Sequence, residues 1–172
     1  RNRTSPFAFT GNKFEFRAVG SSANCAGAMT TINTIMAETL KNFKVEVDAL
    51  IEKGDKKEVA IMQVLQKYIV EAKPTLFEGD GYSEEWAIEA EKRGLANVKT
   101  TPVALDAFVT DKAKALFSSN DIYDAAELDA RHEIMLEEYI KKVQIEARIK
   151  GDLASTYIIP AAIKYQNQLC KN

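Results

Sequence analysis

The sequence has little of what a thiolate-metal, secreted or membrane protein needs. Its two cysteines, Cys25 and Cys170, lie far apart, and His132 is the single histidine in 172 residues. These features predict neither a disulfide framework nor a zinc site. No apolar run approaches the roughly 20 residues that span a bilayer, and no signal-peptide pattern is visible. We therefore expect a cytoplasmic protein with no membrane partner.

The chain also has no large excess of charge of either sign. Lys and Arg number 23 against 25 Asp and Glu, a net charge of -2, which provides no electrostatic footprint for nucleic acid. No internal repeat, low-complexity tract or clear linker is present. The length suffices for one domain with a hydrophobic core.

Most of the chain after Ser21 repeats its apolar residues at helical spacing. Long helices joined by short turns predict a mainly α fold, an antiparallel helical bundle. The predicted helices are 23–53, 55–72, 83–93, 102–108, 111–118, 120–150 and 153–170. The stripes predicted to be buried are Met29, Ile32, Met36, Leu40, Phe43 and Val47 in the first, Val59, Met62, Leu65, Ile69 and Val70 in the second, and Leu128, Ile134, Met135, Tyr139, Val143 and Ile149 in the long one.

Capping residues and helix breakers set the predicted ends. The start signals are Ser21 or Ser22 for the first helix and Asn120 or Asp121 for the long one. Gly54 ends the first helix. We expect Gly151 and Asp152 to interrupt the helical structure, and Pro160 to kink the last helix near residues 156–159.

The first seventeen residues carry the densest polar chemistry. In KFEFR, from Lys13 to Arg17, charged and aromatic residues alternate with the period of a β-strand. Lys13, Glu15 and Arg17 therefore share one face, and Phe14 and Phe16 share the other, where we expect buried rings to anchor the strand. Taken alone, such alternation is typical of an edge strand with solvated charges.

The upstream residues favour a binding site. Gly11 and Asn12 predict a hairpin between an extended segment at 7–9 and the KFEFR strand, and this hairpin brings Arg3 toward Arg17. A carboxylate among cations is suited to a divalent ion, and guanidinium groups are suited to carboxylate or phosphate.

These residues resemble the glutamine synthetase family. That family carries Asn-Arg-Ser/Thr, a short loop, a basic-x-Glu-x-Arg strand and a small-residue segment that opens a long helix. The corresponding residues are 2–4, 13–17 and 21–24. The segment NRTSPFAFTGNKFEFR looks most like the type III branch, whose catalytic domain precedes a helical C-terminal region.

The resemblance implies an ATP-dependent ligase that joins glutamate and ammonia through a γ-glutamyl phosphate, with ATP and Mg²⁺ or Mn²⁺ as cofactors. Arg3 is implied as a catalytic residue that contacts nucleotide phosphate and the reacting carboxylate of glutamate. Lys13 is implied near the ATP, Glu15 as a metal ligand, and Arg17 as the group that binds the glutamate α-carboxylate.

The resemblance also implies a larger protein. We expect the chain to be a fragment, inactive by itself, of a ring-forming homo-oligomer. Residues 1–53 would be the end of the catalytic α/β domain, and residues 54–172 a helical bundle packed with them as one unit. Two alternatives stay open: a non-catalytic assembly module of a homo-oligomer, and a related carboxylate-amine ligase that uses another amine.

Two further motifs favour structural roles. His132-Glu133 resembles the start of a zinc-protease motif, but position 136 is leucine where the second histidine is required. The loop TLFEGDGY, residues 75–82, has acids and glycines without the ligand spacing of an EF-hand. We expect an ordinary surface or helix-pair histidine and a structural turn.

Overall fold

The structure, a computed structural model, describes residues 7–17, 20, 22–76 and 80–171. It is mainly helical, as predicted, and a two-stranded antiparallel sheet precedes the helices. The strands are β1 (Phe7–Phe9) and β2 (Phe14–Phe16). The α-helices are α1 (Ala26–Glu52), α2 (Lys57–Ala72), α3 (Glu84–Lys92), α4 (Thr101–Leu105), α5 (Asp111–Ser118), α6 (Ala125–Leu153) and α7 (Ile159–Leu169). Lys73–Thr75 and Asp106–Val109 form 3-10 helices, and Ala154–Ile158 forms a π-helix.

The chain divides into two compact units. The first comprises the residues up to Val98 together with Ala115–Ile122. The second comprises Lys99–Lys114 and the residues from Tyr123 onward. The hairpin and α1 to α3 thus belong to the first unit, and α4, α6 and α7 belong to the second.

The predicted β-hairpin is confirmed. Ala8 pairs with Glu15 in the antiparallel register of β1 and β2. The turn closes through a hydrogen bond of 2.8 Å from the Thr10 amide to the Lys13 carbonyl. Gly11 has a φ of +102°, a left-handed conformation that glycine adopts without steric cost.

The aromatic side of this hairpin is more open than predicted. Phe14 is 53% exposed, so the expectation of a buried anchor is wrong at this residue, and the Phe16 side chain lies outside the described residues. Phe14 stacks at a tilt on Phe9, with ring centroids 5.2 Å apart. In the described part of the chain the sheet has only these two strands, too few for a closed hydrophobic layer.

Helix α1 begins three residues later than predicted. The Asn24 side chain accepts a hydrogen bond of 2.8 Å from the Ala26 amide, so an asparagine satisfies the first free donor of the helix. Ser22 lies in a turn ahead of it, and Ser21 is outside the described residues. The predicted serine cap is therefore wrong at Ser22.

The core of the first unit lies between α1 and α2, which run antiparallel as predicted. Val47, Ala60 and Val64 are buried there. Phe43 contacts Tyr68 edge to face, with centroids 5.8 Å apart. Partly buried apolar residues surround this core: Phe43, Leu50, Ile61 and Tyr68.

The prediction of which face of α2 is buried is wrong. Its five residues, Val59, Met62, Leu65, Ile69 and Val70, are all exposed. Apolar residues cover several faces of α2, and α1 packs on the one that carries Ala60, where the small side chain lets the helices approach closely. In α1, only Val47 of the predicted stripe is buried, while Met29, Met36 and Leu40 are exposed.

Gly54 ends α1 as predicted. Its φ is +105°, and its amide donates to the Ile51 carbonyl at 2.9 Å while the Asp55 amide donates to the Leu50 carbonyl at 3.1 Å. These bonds satisfy carbonyl groups at the helix end.

Substitution of Gly54 therefore tests the turn between α1 and α2. We expect Gly54→Ala to lower the free energy of unfolding by about 1–2 kcal/mol, because a side chain strains the left-handed conformation. Gly27→Ala is the matched control: Gly27 lies inside α1 with open space around its Cα, so alanine is expected to be neutral or stabilising by up to about 1 kcal/mol. Urea denaturation measures both, and equal losses would contradict this role of Gly54.

The turn after α5 is held against α1. Lys41 Nζ donates to the Ser119 carbonyl at 3.1 Å, and Asn120 Nδ2 donates to Glu38 Oε2 at 2.9 Å. The Asn120 hydrogen bond lowers the pKa of Glu38 from its ordinary value. Asn120 thus stabilises a turn and is not the predicted cap of the next helix.

Helix α6 instead starts from a capping box. The Glu127 amide donates to Asp124 Oδ1 at 2.8 Å, and the Asp124 amide donates to Glu127 Oε2 at 3.0 Å. Both hydrogen bonds satisfy amides that the helix itself leaves free. Asp121, the other predicted cap, has a φ of +52° and lies in the preceding turn.

No break separates α6 from α7. Gly151 and Asp152 lie within α6, so the predicted interruption there is wrong. The π-helix follows directly and leads into α7, with Pro160 in the first turn. A proline ring clashes with the carbonyl four residues earlier, here Thr156. The wider π turn falls on the segment where a kink was predicted, and it accommodates that clash.

Candidate functional site

The edge of the hairpin brings Glu15 and Arg17 together. Arg17 Nη2 lies 3.0 Å from Glu15 Oε2, and Nε lies 3.3 Å from the same oxygen. The side chain of Glu15 is 39% exposed and that of Arg17 is 30% exposed. The period of β2 explains the contact, because residues two apart point to the same side of a strand.

This geometry leaves binding capacity on both partners. Both hydrogen bonds end on Oε2, so Glu15 Oε1 lies outside the pair. A guanidinium group has five N–H donors, of which Arg17 uses two here. The carboxylate oxygen of Glu15 is a hard ligand suited to a divalent ion. The planar guanidinium of Arg17 is suited to a second carboxylate.

The other two predicted site residues are placed differently. Lys13 is exposed, and its carbonyl accepts the hydrogen bond from Thr10 that closes the turn. Arg3 lies outside the described residues. The structure thus brings together two of the four predicted residues, and the roles of all four stay predictions.

The carboxylate of Glu15 fits a metal site only in part. Among residues 7–17, 20, 22–76 and 80–171, no group of three or more His, Cys, Asp or Glu side chains is placed to hold a metal ion. Mg²⁺ binds through one or two carboxylates with water and phosphate oxygens as its other ligands. Glu15 would therefore be one ligand of a site whose other protein ligands lie elsewhere.

A second carboxylate–guanidinium pair lies at the end of α3. Arg93, the residue directly after α3, places its Nε 2.8 Å from Oε1 of Glu89, four residues earlier. The Arg93 hydrogen bond lowers the pKa of Glu89 from its ordinary value. Because such pairs are common on solvated helix faces, this one provides a comparison for Glu15 and Arg17.

The single histidine has a structural environment. His132 Nε2 lies 3.0 Å from Asp106 Oδ1, and the His132 side chain is 16% exposed. The contact joins α6 to the 3-10 helix that follows α4, within the second unit. The sequence had no signal for this partner, because Asp106 is 26 residues away.

The predicted structural turn at 75–82 is described at both ends. Asp80 Oδ1 accepts a hydrogen bond of 3.0 Å from the Tyr82 amide, a local turn contact. Residues 77–79, with the acidic Glu78, lie outside the described residues. Within the described residues, every helix is too short or too polar to cross a membrane, and both cysteines are exposed thiols.

Known proteins match this chain over its whole length. The family model for the glutamine synthetase C-terminal domain matches residues 60–172. A glutamine synthetase of Bacteroides fragilis is 52% identical over 172 residues, which are 100% of this chain and 24% of the relative. A type-3 glutamine synthetase of Dictyostelium discoideum is 41% identical over the same 172 residues, 23% of its length. A glutamine synthetase of Butyrivibrio fibrisolvens is 33% identical over 171 residues, 24% of its length.

Two features of these matches bear on the site. The chain spans about a quarter of the length of these relatives. The family model begins at Ala60, in α2, whereas the relatives align along the whole chain and therefore include the hairpin with Glu15 and Arg17.

Proposed function

Because this chain belongs to the glutamine synthetase family, we propose that it forms part of an ATP-dependent glutamate–ammonia ligase. The observation that carries the proposal is the match of the entire chain, hairpin included, to proteins named glutamine synthetase, one of them of type 3. The pair of Glu15 and Arg17 on the hairpin supports it, since these two residue types bind a divalent ion and a carboxylate. The chain alone would lack most of the site.

Arg17 binds the α-carboxylate of glutamate in this proposal. Its guanidinium donates two hydrogen bonds to Glu15 Oε2. An amino-acid carboxylate presents two such acceptors in the plane of the fork, so it can take Glu15's place as the partner of Arg17. The exchange orients glutamate and frees the Glu15 carboxylate at the same time.

Glu15 would then be one ligand of Mg²⁺ or Mn²⁺. When bound, such an ion neutralises the charge that develops on the transferring phosphate oxygens. Glu15 would contribute a hard oxygen ligand from a strand, on the same side as Arg17.

Arg3 and Lys13 provide positive charge for the nucleotide. The γ-carboxylate of glutamate attacks the γ-phosphate of ATP and gives γ-glutamyl phosphate and ADP, after which ammonia displaces phosphate and forms glutamine. Phosphoryl transfer depends mainly on position and positive charge. Arg3 would hold the reacting carboxylate and phosphate, and Lys13 would lie near the ATP.

The larger organisation follows the same family. We take residues 1–53 as the end of a catalytic α/β domain and residues 54–172 as a helical region packed with it. The complete enzyme would be a ring-forming homo-oligomer in the cytoplasm. The match of the C-terminal domain model from residue 60 supports this boundary.

Assay of the complete enzyme tests the proposal. We expect glutamine to form from glutamate, ATP and ammonia with one phosphate released per glutamine, and no glutamine without ATP. Small alkylamines in place of ammonia are the control, and we expect at least a tenfold lower rate with them. A faster reaction with another amine, or no glutamine at all, would contradict the proposal.

A further inference from the structure

The last helical segment differs sharply in charge from the residues before it. Residues 129–150 contain ten charged residues among 22, whereas the stretch from Leu153 to Leu169 contains one, Lys164, among 17. We call Leu153–Leu169 the C-terminal apolar segment. It comprises the end of α6, the π-helix and α7.

This segment is uncovered in the structure. Ile163 is 52% exposed and Tyr165 is 63% exposed, and every other residue of the segment except the partly buried Ala154 is also exposed. The exposed large apolar side chains are Leu153, Tyr157, Ile158, Ile159, Ile163, Tyr165 and Leu169. Large apolar side chains exposed in this number mark a contact with another part of a protein.

Apolar residues lie on more than one side of the segment. Ile158 and Tyr165 are seven residues apart and share one face, whereas Ile159 and Ile163 are four apart and share another. A helix that is apolar on several sides is buried on several sides. One helix packed against a single face would leave the other face exposed, so a body larger than one helix is required.

We infer that the part of the synthetase polypeptide outside these 172 residues encloses the C-terminal apolar segment. This inference rests on the proposed function, because it takes the chain to be part of a longer synthetase. The matched relatives are about four times as long as this chain, which provides a body large enough to cover both faces. The enclosing part is the remainder of that longer polypeptide.

The change from charged to apolar residues falls between Lys150 and Leu153. The charged half of α6 keeps its solvated pairs, such as Lys141 with Glu137 at 3.1 Å. The C-terminal apolar segment begins beyond Lys150, and the π-helix lies at its start.

Photocrosslinking of the complete enzyme tests this inference. The photoreactive residue p-benzoylphenylalanine would replace Tyr165 in one variant and Ile163 in another, since these two residues lie on opposite sides of the helix. Lys142→p-benzoylphenylalanine, on the charged half of α6, is the matched control. After irradiation, denaturing gels and peptide mass spectrometry identify what each position contacts.

We expect both test variants to crosslink within one polypeptide, to residues outside these 172, with at least tenfold higher yield than the control. A product of twice the polypeptide mass would mean that a second copy covers the segment and would overturn the inference. Yields no higher than the control would mean exposure and would also overturn it. Crosslinking needs no turnover, so a failed synthetase assay leaves this result readable, and failed crosslinking in an active synthetase overturns this inference alone.

Discussion

Glu15→Gln in the complete enzyme is expected to lower kcat by on the order of 100-fold and to raise the Mg²⁺ concentration needed for half-maximal rate. Glutamine keeps the shape of glutamate but removes the negative charge that binds the ion. Loss of one preorganised electrostatic contact at a transferring group costs about 100- to 1,000-fold in rate. Glutamine synthesis measured across a Mg²⁺ titration gives both quantities.

A matched control separates this effect from the loss of an ion pair. Glu89 also pairs with an arginine, Arg93, at 2.8 Å, but on a solvated face of α3. We expect Glu89→Gln to leave kcat and the Mg²⁺ dependence within about twofold of the wild type, since exposed pairs are worth little. Wild-type Mg²⁺ dependence in Glu15→Gln would remove the metal role of Glu15.

Arg17→Ala should act on glutamate rather than on ATP. We expect the KM for glutamate to rise about 10- to 150-fold, because hydrogen bonds to charged groups are worth roughly 1.5–3 kcal/mol. The KM for ATP should change by less than about threefold. Initial rates with each substrate varied in turn measure the two constants.

Two further variants sharpen this experiment. Arg17→Lys keeps the charge but loses the planar fork, so it should recover only part of the glutamate affinity. Arg93→Ala removes the arginine of the second pair, which also donates to the Leu76 carbonyl at 2.8 Å, and should change neither constant. Equal increases in both KM values in Arg17→Ala would contradict a specific contact with the α-carboxylate.

Local signals made the hairpin and the helix ends at Gly54 and Ser83 predictable. A glycine in a left-handed turn and a strict period of two specify the hairpin without help from distant residues. Gly54 adopts the conformation that a helix end requires, and Ser83 accepts the Trp86 amide at 3.2 Å as the cap of α3. Such features depend on neighbours in the sequence.

The buried faces were harder to predict. Helix α2 has apolar residues on several sides, and only contact with α1 selects the face with Ala60 and Val64. In α6, Leu128 is buried, but Ile134, Tyr139, Val143 and Ile149 are exposed, against the prediction. Periodicity shows which residues can be buried, and the partner that covers them decides which are.

Competing signals explain the errors at the ends of α6. Asn120, Asp121 and Asp124 are all good caps, and the glutamate three residues after Asp124 was the available signal for the right one. Gly151 costs a helix about 1 kcal/mol, which the helix-forming residues on both sides outweigh. A single glycine therefore does not end a helix.

The candidate site was predictable in its residue types but not in its contacts. Strand period placed Glu15 and Arg17 on one side, which the structure confirms. Their direct pairing was not predicted, because side-chain rotamers at an exposed edge depend on what else is bound.

Anomalous diffraction from Mn²⁺ bound to crystals of the complete enzyme tests the central claim most directly. We predict a manganese peak about 2 Å from a carboxylate oxygen of Glu15, with Arg17 turned toward the glutamate site. A manganese site held entirely by other carboxylates, with Glu15 still paired to Arg17 and remote from the metal, would contradict the assignment of this hairpin to the catalytic centre.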